Sequence, residues 1–471
     1  MYYKYGTSGF RYDSKIILSI SLKIGEAISY IANKSKNFGI MITASHNYHL
    51  DNGVKIVNEF GEMLNQDQEI FIEKYINNMI PLKHISIDLS SKSNIFIGMD
   101  TRKDCSLIFD KISNGIKNSN PNINIINLGK VTTPQHHFLT KYNFNNPFKY
   151  IKFYNDAFNF WSPQKITIDC ANGIGYKTFN ELKKYYNLKN INFKNIKIND
   201  YEKLNYLSGS DYVYSNNKLP FDNTGGLMAS LDGDADRFIL YFMDQKLNIL
   251  DGDYISALYT LCSLKCLIKL KNKYTFGVIH TSYTNNSFIK YIQKLSNDYN
   301  YDINLVCTPT GVKHLHHEAI KYDISVYFET NGHGTILINN KELLKLKYFN
   351  MISKLNNDVV GDAISGILCT LFSFDYHSIS YKDLFKFFTK NKFILYKKTV
   401  NDKNSYVTTK NQRRLIKPTN VQNKLDSIMN KYKCFIFIRP SGTENVIRIY
   451  IEIYQEYDLK LIKSEFDYLL I

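Results

Sequence analysis

Cysteine is scarce in this chain, long apolar runs are missing, and no tract is compositionally biased; each shortage removes a class of protein. Seven cysteines are spread over 471 residues, the nearest two being Cys262 and Cys266. An odd, dispersed set in a large chain argues for reduced thiols in the cytosol and against a disulfide framework. No Cys/His spacing matches a zinc site. No stretch approaches the ~20 apolar residues of a membrane span. Residues 1–11 bring early charge and a glycine-containing turn but no apolar segment of the signal-peptide kind. A cytoplasmic protein with no membrane partner is therefore expected. Low-complexity tracts and a countable repeat are also missing.

What is present supports real cores: 44% of residues are hydrophobic, enough for roughly three or four domains at this length. Basic residues outnumber acidic ones, 59 to 43, for a formal net charge of +16. The lysines form no long block, so no nucleic-acid partner is expected, and a positive field also draws small phosphorylated substrates.

The periodicity predicts a helix over 16–32, a buried strand at 40–42, and a second extended segment at 54–57. A helix is expected over 65–80, stopping at Pro81. Strand pattern returns at 94–100, and 131–135 reads as a loop after another strand. Residues 143–162, rich in Asn, Phe and Tyr without a clear period, mark the first boundary. A strand at 165, the turn CANGIG and a helix from 176 open a second unit, and 231–242 closes it with a loop feeding an apolar strand. A third begins near Asp253, with a helix to about 270 and strands at 276–280 and 324–328. After 374 the pattern changes, ending in strands at 434–439 and 446–453 around a polar loop. The expected fold is α/β: three related mixed α/β domains (1–155, 156–252, 253–375) plus a smaller C-terminal α+β domain (376–471) around a central cleft.

Four loops carry chemistry. In IMITASHNYHLDNGVKIV (40–57) an apolar strand delivers Ser45 to a turn between buried segments. A serine held by a rigid scaffold yet open to solvent suits a nucleophile; the alternative is a serine bonding nearby backbone. YGTSGFR at 5–11 brings Arg11 within reach of an anion there. LDGDADRFILYF (231–242) sets Asp232, Asp234 and Asp236 at alternate positions, where a tight loop converges them on one hard cation such as Mg²⁺. An EF-hand does not fit, since Arg237 stands where that loop needs Gly and Met243 where it needs Glu; a solvated acidic turn is the plain alternative. FETNGHGT (328–335) ends a strand with Glu329, Asn331, Gly332 and His333, a set suited to sugar hydroxyls. RPSGTENVIR (439–448) offers two guanidinium groups, hydroxyls and a glycine amide to a phosphate.

Together these describe one mechanism. Ser45 is carried as phosphoserine, one Mg²⁺ bridges it to the aspartates, and the clamp holds the phosphate already on a sugar. Transfer makes a bisphosphorylated sugar that turns end for end and returns its other phosphate to Ser45. Positioning and charge neutralisation do most of the catalysis.

The motifs TASHN with DNGVKIV, DGDADR, FETNGHGT and RPSGTENVIRIY resemble the α-D-phosphohexomutase superfamily in order and nearly in spacing. YGTSGFR, TTPQHH, IDCANGIG, CTPTGVKHLHHEA and NDVVGDAIS extend the resemblance over nearly the whole chain. NGHGT with TGVKHLHH points to the acetylglucosamine-phosphate branch rather than the glucose or mannose branches. The resemblance implies interconversion of N-acetylglucosamine 6-phosphate and 1-phosphate. It makes Ser45 the nucleophile and, with Asp232, Asp234 and Asp236, a metal ligand. Arg11, Lys55 and His333 match active-site positions, Lys55 being the first choice for proton transfer, and His46 sits beside the phosphoserine; Arg237, next to the aspartates, would balance their charge or touch a phosphate. Glu329, Asn331 and Gly332 would hold ring hydroxyls, and Thr310, Gly311 and Lys313 would lie near the acetamido group. Arg439, Ser441, Gly442, Thr443 and Arg448 would clamp the distal phosphate. Tyr48 stands where the family usually has proline, and Asn445 where it has an acid. A monomer or weak homodimer is expected. The competing readings are a mutase of broader specificity and a catalytically silent sugar-phosphate binder.

Overall fold

The computed structural model describes residues 2–6, 9–32, 37–80, 93–441, 446–455 and 459–469. They fall into two compact units, the first from 1–252, 331–336 and 341–379, the second from 253–330, 337–340 and 380–471.

The first unit opens with β1 (Phe10–Asp13), α1 (Ser14–Ala32), β2 (Asn37–Ile42), β3 (Asp51–Val57), α2 (Gln66–Ile76), β4 (Asn94–Met99), α3 (Cys105–Ser119), β5 (Asn124–Lys130) and α4 (Thr133–Lys141). Its sheet runs β1-β3-β2-β4-β5. The β1/β3 and β3/β2 pairs are antiparallel, whereas β2, β4 and β5 are parallel. All but the first residue of β2 are buried, which is why this strand reads as an unbroken apolar run. Ile17, Ile20, Ile24 and Ile28 of α1 share one core with Phe38, Ile40 and Ile42 of β2, the apolar face expected of a 3.6-residue period.

Three local expectations change. The helix expected to reach Pro81 ends at Ile76, because Asn77 bonds back to Glu73 O and Tyr3 O and Asn78 turns left-handed at φ +57°; Pro81 itself lies outside the described residues. The stretch 131–135 is not a loop throughout. Thr132 caps α4 in a reciprocal box with Gln135, and Pro134 sits in its first turn. The boundary region 143–162 contains two short helices, α5 (Phe148–Phe153) and α6 (Asn155–Phe158). Aromatic packing holds them: Tyr150 and Tyr154 are fully buried and meet edge to face at 5.4 Å.

The second sheet of this unit, β10-β9-β8-β6-β7, is built from β6 (Ile166–Asp169), β7 (Ile191–Lys194), β8 (Met228–Leu231), β9 (Phe238–Met243) and β10 (Leu247–Leu250), with α7 (Gly175–Tyr185) and α8 (Ser210–Asn216). The three aspartates lie on the turn between β8 and β9. That turn packs on the CANGIG turn so closely that a Cβ on Gly173 would meet Gly233 O at 2.3 Å.

In the second unit, α9 (Gly252–Leu267) leads to β11 (Phe276–Thr281), α10 (Asn286–Asp298), β12 (Ile303–Thr308), α11 (Val312–Ala319) and β13 (Ile324–Phe328). Strand β11 pairs in parallel with both β12 and β13. After β14 (Gly334–Ile338), helices α12 (Lys347–Leu355) and α13 (Ala363–His377) belong to the first unit. The chain ends with β15 (Phe393–Thr399), the short pair β16 (Val407–Thr408) and β17 (Leu415–Lys417), α14 (Thr419–Tyr432), β18 (Cys434–Pro440), β19 (Val446–Ile453) and α15 (Leu459–Leu469). Here β19 lies between β15 and β18, antiparallel to both. Buried Glu452 of β19 accepts from Asn286 N at 2.9 Å and Nδ2 at 2.8 Å, and from Asn391 Nδ2 at 2.6 Å. This fastens the start of α10 to the C-terminal sheet. Among the described residues no helix is long and apolar enough to cross a membrane, and the seven cysteines are free.

Candidate active site

The loop from β2 to β3 places Ser45 at φ +55°, a left-handed conformation rare for serine,. Ser45 N donates to Thr43 Oγ1 at 2.9 Å, and its main-chain oxygen accepts from Arg102 Nη2 at 3.0 Å and Asn205 Nδ2 at 2.8 Å. The expectation of a solvent-open serine is corrected: Ser45 is fully buried. The left-handed turn aims its side chain inward, where Oγ donates to Asp232 Oδ2 at 2.9 Å.

The metal-loop residues converge as expected of a cation site. Ligand atoms of Asp232, Asp234 and Asp236 lie within 4.8 Å of one another, all buried. Asp232 Oδ1 accepts from the main-chain N–H groups of Asp236 at 3.0 Å and Arg237 at 3.1 Å. Lys55 Nζ bridges Asp234 Oδ2 and Asp236 Oδ2, 2.8 Å from each. Asp234 Oδ1 and Asp236 Oδ1 are buried without a hydrogen-bond partner among the described residues. Asp236 Oδ1 has Arg237 Nε at 3.7 Å, beyond hydrogen-bond reach, and carboxylate oxygens without hydrogen bonds in a buried cluster fit a hard divalent cation.

Charge coupling follows from this crowding. Burial, then the charges of Asp236 and Asp234, push the Asp232 carboxyl well above its ordinary range. At Asp236 burial acts the same way but is outweighed by Lys55, His333 and Arg237, which hold it well below. Asp234 likewise sits low despite burial and Asp236, through Lys55 and Thr133, whose hydroxyl donates to it at 2.6 Å. Burial opposes the Lys55 charge, yet the two aspartates raise its pKa and keep the ammonium.

Around this core the structure brings Arg11, His46, Arg237 and His333 together. Arg11 is half-buried in the field of Arg237 and the three aspartates, and its buried Nε finds no hydrogen-bond partner among the described residues. His46 Nε2 lies 3.5 Å from Asp211 Oδ2, and Arg237 Nη1 lies 3.4 Å from Asp211 Oδ1. Burial, then Arg237 and Arg11, hold the His46 pKa well below its usual value, so the ring is neutral. Gly332 has φ +89°, and a Cβ there would meet Phe238 O at 1.8 Å. Glycine at this point lets the NGHGT turn sit on the first residue of β9, with His333 N bonded to Asn331 Oδ1 at 3.1 Å.

The remaining predicted residues sit in the second unit. Glu329 Oε1 accepts from Gly311 N at 3.0 Å, and Lys313 lies in the first turn of α11. Thr310 donates through N at 3.2 Å and Oγ1 at 3.1 Å to Gln412 Oε1, which also accepts from Arg439 Nη1 at 3.0 Å. Arg439 and Arg448 are direct cross-strand partners, and the Nε of each is buried with no hydrogen-bond partner among the described residues. Like charges directly opposite repel, and an anion between them removes the penalty. Ser441 is buried, its N–H bonded to Val446 O at 2.9 Å. Gly442 and Thr443 lie outside the described residues.

Sequence reasoning assigned no role to Arg102, Asp211, Asn205 or Gln412. Arg102 stood in plain view at the end of a strand, but its work is on main-chain oxygens, which leave no pattern in a sequence.

A serine on a left-handed buried turn, bonded to an aspartate trio fit for a cation, is the arrangement of a phosphoryl-transfer enzyme of the phosphohexomutase class. Residues 251–378 match the family model described as phosphoacetylglucosamine mutase AMG1, domain III. Residues 16–83 and 400–468 match phosphoglucomutase/phosphomannomutase α/β/α domain I and C-terminal domain. A phosphoacetylglucosamine mutase of Candida albicans is 34% identical, the match covering 96% of this chain and 93% of that protein. A crystal structure of N-acetylglucosamine-phosphate mutase, a member of the α-D-phosphohexomutase superfamily, in the substrate complex, superposes with TM-score 0.89 at 33% identity, covering 100% and 96% of the two chains. The Aspergillus fumigatus N-acetylphosphoglucosamine mutase in complex with GlcNAc-6P and magnesium gives TM-score 0.89 at 28% identity, covering 99% and 95%. The chain belongs to the phosphoacetylglucosamine mutase family.

Proposed function

We propose that this enzyme interconverts N-acetylglucosamine 6-phosphate and N-acetylglucosamine 1-phosphate through a phosphorylated Ser45, supplying the 1-phosphate for UDP-N-acetylglucosamine synthesis. The observation that carries the reading is the Ser45 Oγ contact with Asp232, inside the only trio of metal-competent carboxylates found among the described residues. The relatives' names and the sugar phosphate and magnesium in the Aspergillus complex support the substrate and the cation.

In the forward half-reaction the free hydroxyl oxygen of the sugar phosphate bonds to phosphorus as the bond from phosphorus to Ser45 Oγ breaks. The hydroxyl proton ends on Ser45 Oγ, with Lys55 our candidate to relay it. The bisphosphorylated sugar then reverses, and its other phosphate returns to Ser45. Lys55, Arg11 and Arg237 are cations placed to offset the charge of the transferring group. Asp232, Asp234 and Asp236, with the Ser45 phosphoryl group, would hold one Mg²⁺, which supplies further charge neutralisation when bound. Neutral His46 is a donor beside Ser45. The second unit contributes Glu329 and the Thr310–Gly311–Lys313 stretch to the sugar, with Asn331, Gly332 and His333 from the adjoining turn. Arg439, Arg448, Ser441, Gly442 and Thr443 clamp the phosphate that is not in flight. We further propose a cytoplasmic enzyme, a monomer or weak homodimer, in four domains divided at 155, 252 and 375.

Intact mass before and after phosphatase, together with a mutase assay, tests this. Ser45→Ala is expected to drop turnover to background while still binding N-acetylglucosamine 6-phosphate; a variant keeping most of its rate rules out the phosphoserine route. Equal rates on acetylated and non-acetylated hexose phosphates would replace the assignment by a broader mutase.

A further inference from the structure

Tyr283 lies on the loop between β11 and α10, and nothing above gives it a task. Its ring stands edge-on to Phe437 of β18 at 5.1 Å and to Tyr450 of β19 at 6.1 Å. The Arg439 guanidinium lies over that ring, 5.6 Å from its centroid. The bonds from Asn286 to Glu452 hold the same loop against the C-terminal sheet. The ring is therefore packed on two sides although the residue as a whole is half-buried. Its hydroxyl is buried and has no hydrogen-bond partner among the described residues. The same is true of the Nε atoms of Arg439 and Arg448. A buried hydroxyl left without a partner carries a desolvation cost, and three such donors gathered at one place share a single remedy, an oxyanion. Burial, opposed by the charges of Arg439 and Arg448 and by the approach of the Arg439 guanidinium to the phenol oxygen, leaves the Tyr283 pKa above its ordinary value; a guanidinium can only donate, so the phenol proton is unspent,.

We propose that Tyr283 is a further donor to the phosphate held by Arg439 and Arg448, an assignment that rests on the sugar-phosphate reading of this unit. The arginines supply charge; the tyrosine supplies a direction. Its O–H adds one directed hydrogen bond to the charge that the arginines supply.

The test uses the full-length enzyme and calorimetric titration with two probes, N-acetylglucosamine 6-phosphate and unphosphorylated N-acetylglucosamine. Tyr283→Phe keeps the ring and its packing and removes only the oxygen, while Arg448→Gln serves as the clamp control. The expected result is an affinity for the sugar phosphate lowered about tenfold in Tyr283→Phe, the size of one hydrogen bond to a charged group. Binding of the unphosphorylated sugar and the melting temperature should stay at wild-type values. If Tyr283→Phe binds the sugar phosphate like wild type while Arg448→Gln does not, the tyrosine assignment is wrong and the clamp survives. If both variants bind like wild type, the clamp reading fails and takes the tyrosine with it. An equal loss for both probes would mean that the residue only shapes the pocket, which also overturns the proposal.

Discussion

Arg102 Nη2 lies 3.0 Å from the main-chain oxygen of Ser45, and the same guanidinium collects the oxygens of Asn47, Tyr48 and Asp51 at 3.0, 2.8 and 2.7 Å. Asp100 Oδ2 holds its Nε at 3.0 Å. The loop that lacks the family's proline is thus made stiff by a buried arginine that reads four carbonyl groups. Arg102→Lys keeps the charge but has no planar fork to bond several oxygens at once. The expected outcome is a kcat lowered about 10²-fold with KM nearly unchanged, the pattern of a misplaced reacting group. Steady-state kinetics beside a melting curve checks this, since a loss confined to stability would leave kcat per folded molecule intact.

Asp234 and Asp236 each keep one buried oxygen without a hydrogen-bond partner, so removing the cation should silence the enzyme without unfolding it. Chelation is expected to abolish turnover, and added Mg²⁺ to restore it. Asp234→Asn should raise the Mg²⁺ concentration for half-maximal activity at least about tenfold, a cost seen even when residues behind the ligands are changed. A Mg²⁺ titration of activity in both proteins reads this directly.

These two sites differ in how much of them a sequence can show. Asp232, Asp234 and Asp236 were legible because carboxylates at alternate positions in a Gly-containing turn have few structural uses, and Ile40–Ile42 marked a buried strand by composition alone. Ser45 was singled out from its turn but expected to be exposed, because the aspartate that closes over it lies 187 residues away in sequence and its left-handed φ leaves no local pattern. Helix α4 could have been found from the Thr132–Gln135 box with Pro134 inside it. Asp211 and Gln412 could not, for their partners are set by tertiary packing and no local spacing announces it.

Gln412 Oε1 accepts from Thr310 and Arg439 together, so one amide oxygen ties the sugar-side loop to the phosphate clamp. Gln412→Leu leaves Arg439 Nη1 without this acceptor. A buried bond to a charged group is worth about 1.5–3 kcal/mol, so KM for the sugar phosphate should rise roughly tenfold or more, with a smaller change in kcat. Gln412→Glu retains the acceptor but sets a negative charge beside the clamp, so its KM should also rise, and that rise, unlike the one in Gln412→Leu, should shrink with added salt. Comparing the two variants at low and high salt separates loss of the bond from the added charge.

His136 and His137 are expected to make the first unit sensitive to acid. Both are buried, His136 Nε2 lying 3.0 Å from Phe96 O and His137 Nδ1 lying 2.8 Å from Gly61 O. Burial lowers the first to a pKa of about 4 and the second to about 3, against about 6.5 in an unfolded chain. Above pH ~6.5 both imidazoles are neutral whether the chain is folded or not, and they add no pH dependence. Below it the unfolded chain takes up protons that the native state refuses, so stability falls as pH falls. The loss is about 1.4 kcal/mol per pH unit for each ring, and it stops only when pH reaches the folded value. Urea unfolding between pH 7 and pH 5 should therefore show a steep decline. The double variant His136→Gln, His137→Gln is expected to start less stable at pH 7 and to lose less on acidification. An unchanged slope in that variant would place the acid sensitivity elsewhere in the chain.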